Sequence, residues 1–185
     1  WGTGWGESGY FYVAYQDSKI NSDLGLFNGY MAYNPNLKIS TYSESGWAGY
    51  GCGWDSNDAD DALVKFVANG NIQLTKIGTY TDYPGSIVTI EVYDNFDGTS
   101  SLTGLLGSIS AQTCTFTGYH SFDLSSPINI SNGNDYFIKI RYQTPGFTYP
   151  IPFEQVISGY SNPPISTGVF WTKSITVTSW TSEDS

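Results

Sequence analysis

Two stretches of this chain bring together side chains that could do chemistry at a surface. Trp47, Tyr50 and Trp54 stand in the Gly-rich run Ser45-Gly46-Trp47-Ala48-Gly49-Tyr50-Gly51-Cys52-Gly53-Trp54. Ring faces held on such a loop can stack against the C–H face of a pyranose. The competing reading folds the rings inward, as a cap on one end of a β-sandwich. Directly after them, Asp55, Asn57, Asp58, Asp60 and Asp61 offer hard oxygen ligands within seven residues. Calcium takes about six to eight such oxygens, and four crowded carboxylates repel one another unless a cation or solvent screens them. Structural Ca²⁺ is therefore the cofactor expectation, set against a solvated loop. The Gly and the closing Glu of an EF-hand are missing.

The remaining candidates carry less. Cys52 and Cys114 are the two cysteines; outside the cell they could close one long disulfide loop, and otherwise they are two buried thiols. Glu91 and Glu154 could face one another as a glycosidase pair, but nothing in the sequence brings them together, so structural carboxylates are expected. His120 is the one histidine, expected at the surface or in a hydrogen bond. Asn129-Ile130-Ser131 is an N-glycosylation sequon.

These residues need a scaffold, and the composition favours strands. Aromatics make up 17% of 185 residues (15 Tyr, 10 Phe, 6 Trp) while charged residues are only 13%. That mixture suits short strands joined by turns and is poor in helix formers. Period-2 alternation is plain in Val88, Ile90 and Val92, and again in Tyr136, Ile138, Ile140 and Tyr142. Further strands are expected at 37–42, 62–68, 72–80, 105–111, 119–124, 154–159, 168–171 and 175–178. Pro84-Gly85, Asp97-Gly98, Asn132-Gly133 and Pro145-Gly146 supply turn chemistry. The fold class expected is all-β: an antiparallel β-sandwich of jelly-roll or lectin-like type, preceded by a short extended N-terminal segment.

A net charge of −10, with only seven Lys and Arg, leaves no basic stripe for nucleic acid. Anionic membrane surfaces would repel the chain, and no run of about 18 apolar residues spans a bilayer. No signal peptide is recognisable, and the chain opens in mid-motif. The expectation is a fragment or a processed product with any export signal upstream.

The opening run Trp1-Gly2-Thr3-Gly4-Trp5-Gly6-Glu7-Ser8-Gly9-Tyr10-Phe11 resembles the segment near the C-terminus of papain-family (C1) cysteine peptidases. There an Asn-Ser-Trp-Gly motif leads through Trp-Gly and Gly-Tyr into a final strand. This chain starts at the Trp, after the position of the family's catalytic Asn. Neither cysteine nor His120 stands in a context resembling the family's nucleophile or base, so no catalytic residue carries over.

From about Lys38 onward the chain resembles the lectin-like β-sandwich that follows C1 peptidase domains in surface proteins of archaea and bacteria. The residues carrying this are 86–93 (Ser-Ile-Val-Thr-Ile-Glu-Val-Tyr), 118–128 (Gly-Tyr-His-Ser-Phe-Asp-Leu-Ser-Ser-Pro-Ile) and 132–140 (Asn-Gly-Asn-Asp-Tyr-Phe-Ile-Lys-Ile). The implied organisation is a peptidase remnant at 1–20, a linker at 21–37 and the sandwich at 38–185. The resemblance implies a non-catalytic accessory module of an extracellular or cell-surface peptidase. Its partners would be the upstream peptidase domain or a neighbouring surface protein, and surface carbohydrate. The rival expectation is a structural subunit that self-assembles into a surface layer or filament, through the strand 9–15 added to a neighbour.

Overall fold

The computed structural model describes residues 35–43, 47, 49–54, 58–154, 156, 158–159, 162 and 166–183. The chain divides into two units, Trp1–Ile39 and Ser40–Ser185. In the first unit residues 35–39 are described, exposed and outside any strand. The Trp-Gly motif and the strand expected at 9–15 lie outside the described residues.

Among its described residues the second unit contains ten strands and no helix. They are β1 (Tyr50–Cys52), β2 (Ala59–Val67), β3 (Ile72–Thr81), β4 (Ser86–Phe96), β5 (Leu102–Cys114), β6 (Gly118–Ile130), β7 (Asp135–Gln143), β8 (Ile151–Phe153), β9 (Phe170–Ser174) and β10 (Thr181–Ser182). A six-stranded sheet runs β10-β9-β2-β7-β4-β5; β3 pairs with β6 and β1 with β8. Every pairing is antiparallel. The expected all-β antiparallel sandwich is what the chain forms.

The period-2 pattern decides which face goes inside. Register rows place Ala62 opposite Ile140, Ile140 opposite Ile90, and Ile90 opposite Ile109. This inner row packs with Ile77 of β3 and with Ile128 and Ile130 of β6 in one core. Each fully buried Ile or Val side chain contributes about 1.5–3 kcal/mol. A second apolar cluster forms on the other face of the six-stranded sheet, where Leu63, Phe137 and Trp171 meet Phe96 and Trp180. Phe96 makes edge contacts with Phe137, Trp171 and Trp180.

The turns follow their chemistry. Asp97 Oδ1 accepts the backbone N–H of Thr99, Ser100 and Ser101 at 2.8, 2.7 and 3.0 Å, and Gly98 takes a φ of 84°. Those bonds, Ser100's foremost, hold its carboxyl well below the usual carboxylate range.

Several expected strands shift or vanish. Residues 37–42 form no strand; Tyr42 instead stacks on Phe66 at 5.1 Å and donates to the Lys65 carbonyl. The strand placed at 154–159 lies earlier, as β8, where Ile151 rather than Val156 is buried. Residues 175–178 belong to the exposed connection between β9 and β10, so the Ile175/Val177 alternation faces solvent rather than a sheet. β5 and β6 run longer than the strands expected at 105–111 and 119–124, from Leu102 to Cys114 and from Gly118 to Ile130. At Gly107 a Cβ would lie 2.8 Å from Ile128 Cδ1, so that side chain would have to shift.

Candidate functional site

β1 is a three-residue strand with glycines beside it, and its pairing with β8 lays it across one end of the sandwich. Gly51 lacks room for a side chain: a Cβ there would collide with Asp82 Oδ2 and the Tyr149 carbonyl. Gly53 is similarly confined, by the Thr148 carbonyl, Pro150 Cδ and Asp60 Oδ2. The glycines in the aromatic run thus serve close packing. This ribbon positions the ring residues picked from sequence.

The three rings are used differently. Trp47 donates its indole N–H to the Tyr50 carbonyl at 2.7 Å, within the loop. Trp54 reaches inward, its Nε1 donating to Thr172 Oγ1 at 3.0 Å and its backbone N to Asp60 Oδ2 at 2.8 Å. Tyr50 keeps its side chain largely in solvent. Trp54 is therefore tied into the sandwich as a partial cap, while Tyr50 is about half exposed.

Sequence reasoning missed three further rings close to β1. Tyr83 lies just after β3, and Phe147 and Tyr149 lie between β7 and β8. Their centroids are 4.9 Å apart for Tyr83–Phe147 and 5.9 Å for Phe147–Tyr149, the second pair edge-on. Tyr83 and Tyr149 are 52% and 53% exposed, with the half-buried Phe147 between them. More than sixty residues separate the two loops in sequence, so no local motif announces the trio. The only signal was that Tyr83 directly precedes the turn dipeptide Pro84-Gly85 and Phe147 directly follows Pro145-Gly146.

The acidic run does not stay together. Asp60 and Asp61 are adjacent on β2, so the pleat sends them to opposite faces of the sheet. Asp60 faces the Trp54 loop. Asp61 lies fully buried on the outer face, where Arg141 binds it with Nε to Oδ1 at 2.8 Å and Nη2 to Oδ2 at 3.1 Å. Lys139 and Lys173 each place Nζ 3.7 Å from Oδ2. Three protein cations thus neutralise Asp61, and it cannot join Asp60 around one Ca²⁺. Asp58 is half-buried ahead of β2, while Asp55 and Asn57 lie outside the described residues. Among the described residues no group of three or more His, Cys, Asp or Glu is arranged to hold a metal.

Glu91 also belongs to the charged face, accepting from Lys139 Nζ at 2.8 Å. Lys173 Nζ donates to the Val177 carbonyl and lies 5.2 Å from the centre of the Trp180 ring. His120 stacks on Phe116 at 4.3 Å and bonds its carbonyl oxygen through Nε2 at 2.9 Å, a structural role. Asn129 is exposed in β6, its Oδ1 accepting from Gln73 Nε2 at 3.2 Å.

Cys52 and Cys114 are both free thiols in the structure, half-buried and buried, rather than the disulfide entertained from sequence. Burial pushes the Cys52 thiol up to about 12, helped by the negative charges of Glu183, Asp60 and Asp82, and burial also raises Cys114. Neither is poised as a nucleophile. Asp82 is the most unusual group at this end. Both its carboxyl oxygens are buried without a hydrogen-bond partner, and burial raises its pKa to about 7.

The sequence profile of the lectin-like domain family matches residues 39–168. Among solved structures, the chain is similar to the cysteine protease and lectin-like domains of Cwp84, a surface layer associated protein of Clostridium difficile. Identity is 15% and the TM-score 0.52, over 68% of this chain and 28% of that one. A second structure, the clostridial cysteine protease Cwp84 after propeptide cleavage, gives 15% identity and a TM-score of 0.53, over 68% and 32%. The chain therefore spans about a third or less of the proteins it resembles. Among curated proteins no sequence matches it.

Proposed function

The chain belongs to the lectin-like domain family, and from that premise we propose that it is a non-catalytic accessory module of a cell-surface cysteine peptidase. Its role is to dock that enzyme to carbohydrate or protein at the surface. The observation carrying this reading is the family match over residues 39–168, the region that holds β1 to β8 and the ring-bearing end. The likeness to Cwp84 supports the setting, since that protein combines cysteine protease and lectin-like domains and is surface layer associated. The chemistry of the thiols and of His120 supports the lack of catalysis. A nucleophile needs a lowered pKa and a base within reach, whereas both thiols are raised and His120 is engaged by Phe116.

The test is a sedimentation assay of the purified chain with isolated bacterial and archaeal cell envelopes, run beside peptidase and glycosidase assays. Saturable retention without hydrolysis is expected. Turnover of either substrate class, or no retention on any envelope, would remove the reading.

One observation favours self-assembly as a second reading. β5 is an edge of the six-stranded sheet, thirteen residues long, with no charged side chain and with Leu105 and Leu106 exposed. Long uncharged edges invite an added strand. Light scattering that finds only monomer at high concentration would dismiss it.

A further inference from the structure

Two half-exposed tyrosines at the β1–β8 end share one supporting ring, Phe147. Tyr83 and Tyr149 each leave about half their surface in water. Exposed rings are usually mobile, yet each of these packs on Phe147. Phe147 is wedged between them, and each ring–ring contact is worth about 0.5–1.5 kcal/mol.

Beneath the rings, the two loops are joined by a chain of hydrogen bonds. Ser86 Oγ donates to the Tyr83 carbonyl at 2.7 Å and pairs with Thr144 Oγ1 at 3.0 Å, both hydroxyls being almost fully buried. Thr144 in turn donates its N–H to the Asp58 carbonyl at 2.7 Å, and its own carbonyl accepts the Phe147 N–H at 3.0 Å. Buried, fully paired hydroxyls specify one arrangement of the loops that carry them. The side-chain ordering that binding would otherwise cost has been met during folding.

Ring type and charge narrow the occupant. A tyrosine offers an apolar face with a polar tip, which matches the alternating C–H faces and hydroxyls of a sugar. A polyanion would approach a molecule of net charge −10 against its field. Of the cations in the described sandwich that could counter this, Lys139, Arg141 and Lys173 face Asp61 on the outer face of the six-stranded sheet, and Lys65 and Lys76 pair with Asp135 and Asp123.

We infer that Tyr83 and Tyr149, held by Phe147, form a stacking site for an uncharged pyranose glycan. This assignment rests on the docking reading above and names its site and ligand class.

The test is calorimetry with cellohexaose, N-acetylchitohexaose and mannohexaose, and with trigalacturonate as an acidic counterpart. At least one neutral oligosaccharide should bind saturably, and more tightly than trigalacturonate. The double variant Tyr83→Ala/Tyr149→Ala should weaken it by roughly tenfold or more, a loss of about 1.4 kcal/mol. Tyr119→Ala, which removes an equally exposed ring on β6, should leave affinity within about twofold. If the double alanine variant fails to fold by thermal melting, Tyr83→Leu/Tyr149→Leu keeps apolar bulk without a π face and should lose the same affinity. Tyr83→Phe/Tyr149→Phe should retain most of it. Binding that survives the Ala and Leu variants, that prefers trigalacturonate, or that is absent for all three neutral oligosaccharides overturns the site. In that event, continued retention on cell envelopes would leave the docking reading standing and point to a protein partner instead.

Discussion

Arg141 holds Asp61, a carboxylate wholly removed from water, with two parallel hydrogen bonds on the outer face of the six-stranded sheet. The pair spans β2 and β7 at a cross-strand position, Asp61 opposite Arg141. The bond to Asp61 is also what raises the Arg141 pKa above its ordinary value. Lys173 is pulled the other way, downward, chiefly by its burial and by its two cationic neighbours, against the attraction of Asp61.

Removing the carboxylate charge should therefore leave Arg141 without its partner and cost Lys139 and Lys173 a nearby countercharge. Asp61→Asn is expected to cost on the order of 3 kcal/mol, as for other broken buried pairs. Replacing Asp61 together with Arg141 by apolar residues should cost less than the sum of the single changes. Urea midpoints of the two single variants and the double variant check both statements. Additive losses would mean that the two side chains act independently.

Asp82 should give the molecule an inverted pH dependence. Its folded pKa of about 7 stands above the ordinary carboxyl value of 3.8. Between those values the folded state keeps a proton that the unfolded state has lost. The stability that Asp82 contributes is thus full below about pH 4 and is lost as pH rises through 7. The groups nearest in charge, Cys52 and Tyr142, are both shifted upward and do not titrate in this window. Asp82→Asn should flatten the slope and stabilise the chain at pH 8 by on the order of 1–3 kcal/mol. Denaturant titrations at pH 4.5, 6 and 8, wild type against variant, read the difference; a wild-type slope retained in the variant refutes the assignment.

The thiols give a direct covalent test. With both free, Cys52 half-buried with its thiol pushed up and Cys114 buried, neither should react readily with iodoacetamide in native buffer, and both should react in guanidinium. Intact mass should then rise by two carbamidomethyl groups without prior reduction, and dithiothreitol should leave the melting temperature unchanged. A mass that rises only after reduction would restore the disulfide expected as one alternative from sequence.

How much was legible depended on how local the signal was. The central strands β4 and β7 stand out because Val88/Ile90/Val92 and Ile138/Ile140 alternate at period 2, and that period alone selects the buried face. The Asp97-Gly98 turn was equally plain, since a side-chain acceptor followed by a residue free to take positive φ defines it locally. The strand expected at 175–178 failed on the same rule. Alternation in Ile175 and Val177 is a hint of burial, and nothing packs over them.

The site divides the same way. Sequence could say that Asp60 and Asp61 were close, and a loop would have let both carboxylates turn to one ion. Because they fall inside β2, the pleat separates them, and the partners Trp54 and Arg141 then decide what each carboxylate does. Likewise the Gly-rich run around Tyr50 was visible, but its glycines serve the close approach of Asp82 and Tyr149 to β1.

By itself the sequence determined that this chain is all-β, antiparallel and acidic, because strand period, turn residues and charge are local or additive properties of the residues. Only the tertiary structure decided which rings face water and which carboxylate meets three cations. Those outcomes are set by contacts such as Tyr83 with Phe147, and Asp61 with Arg141 and Lys173, whose members lie more than sixty residues apart and meet only when the strands have paired.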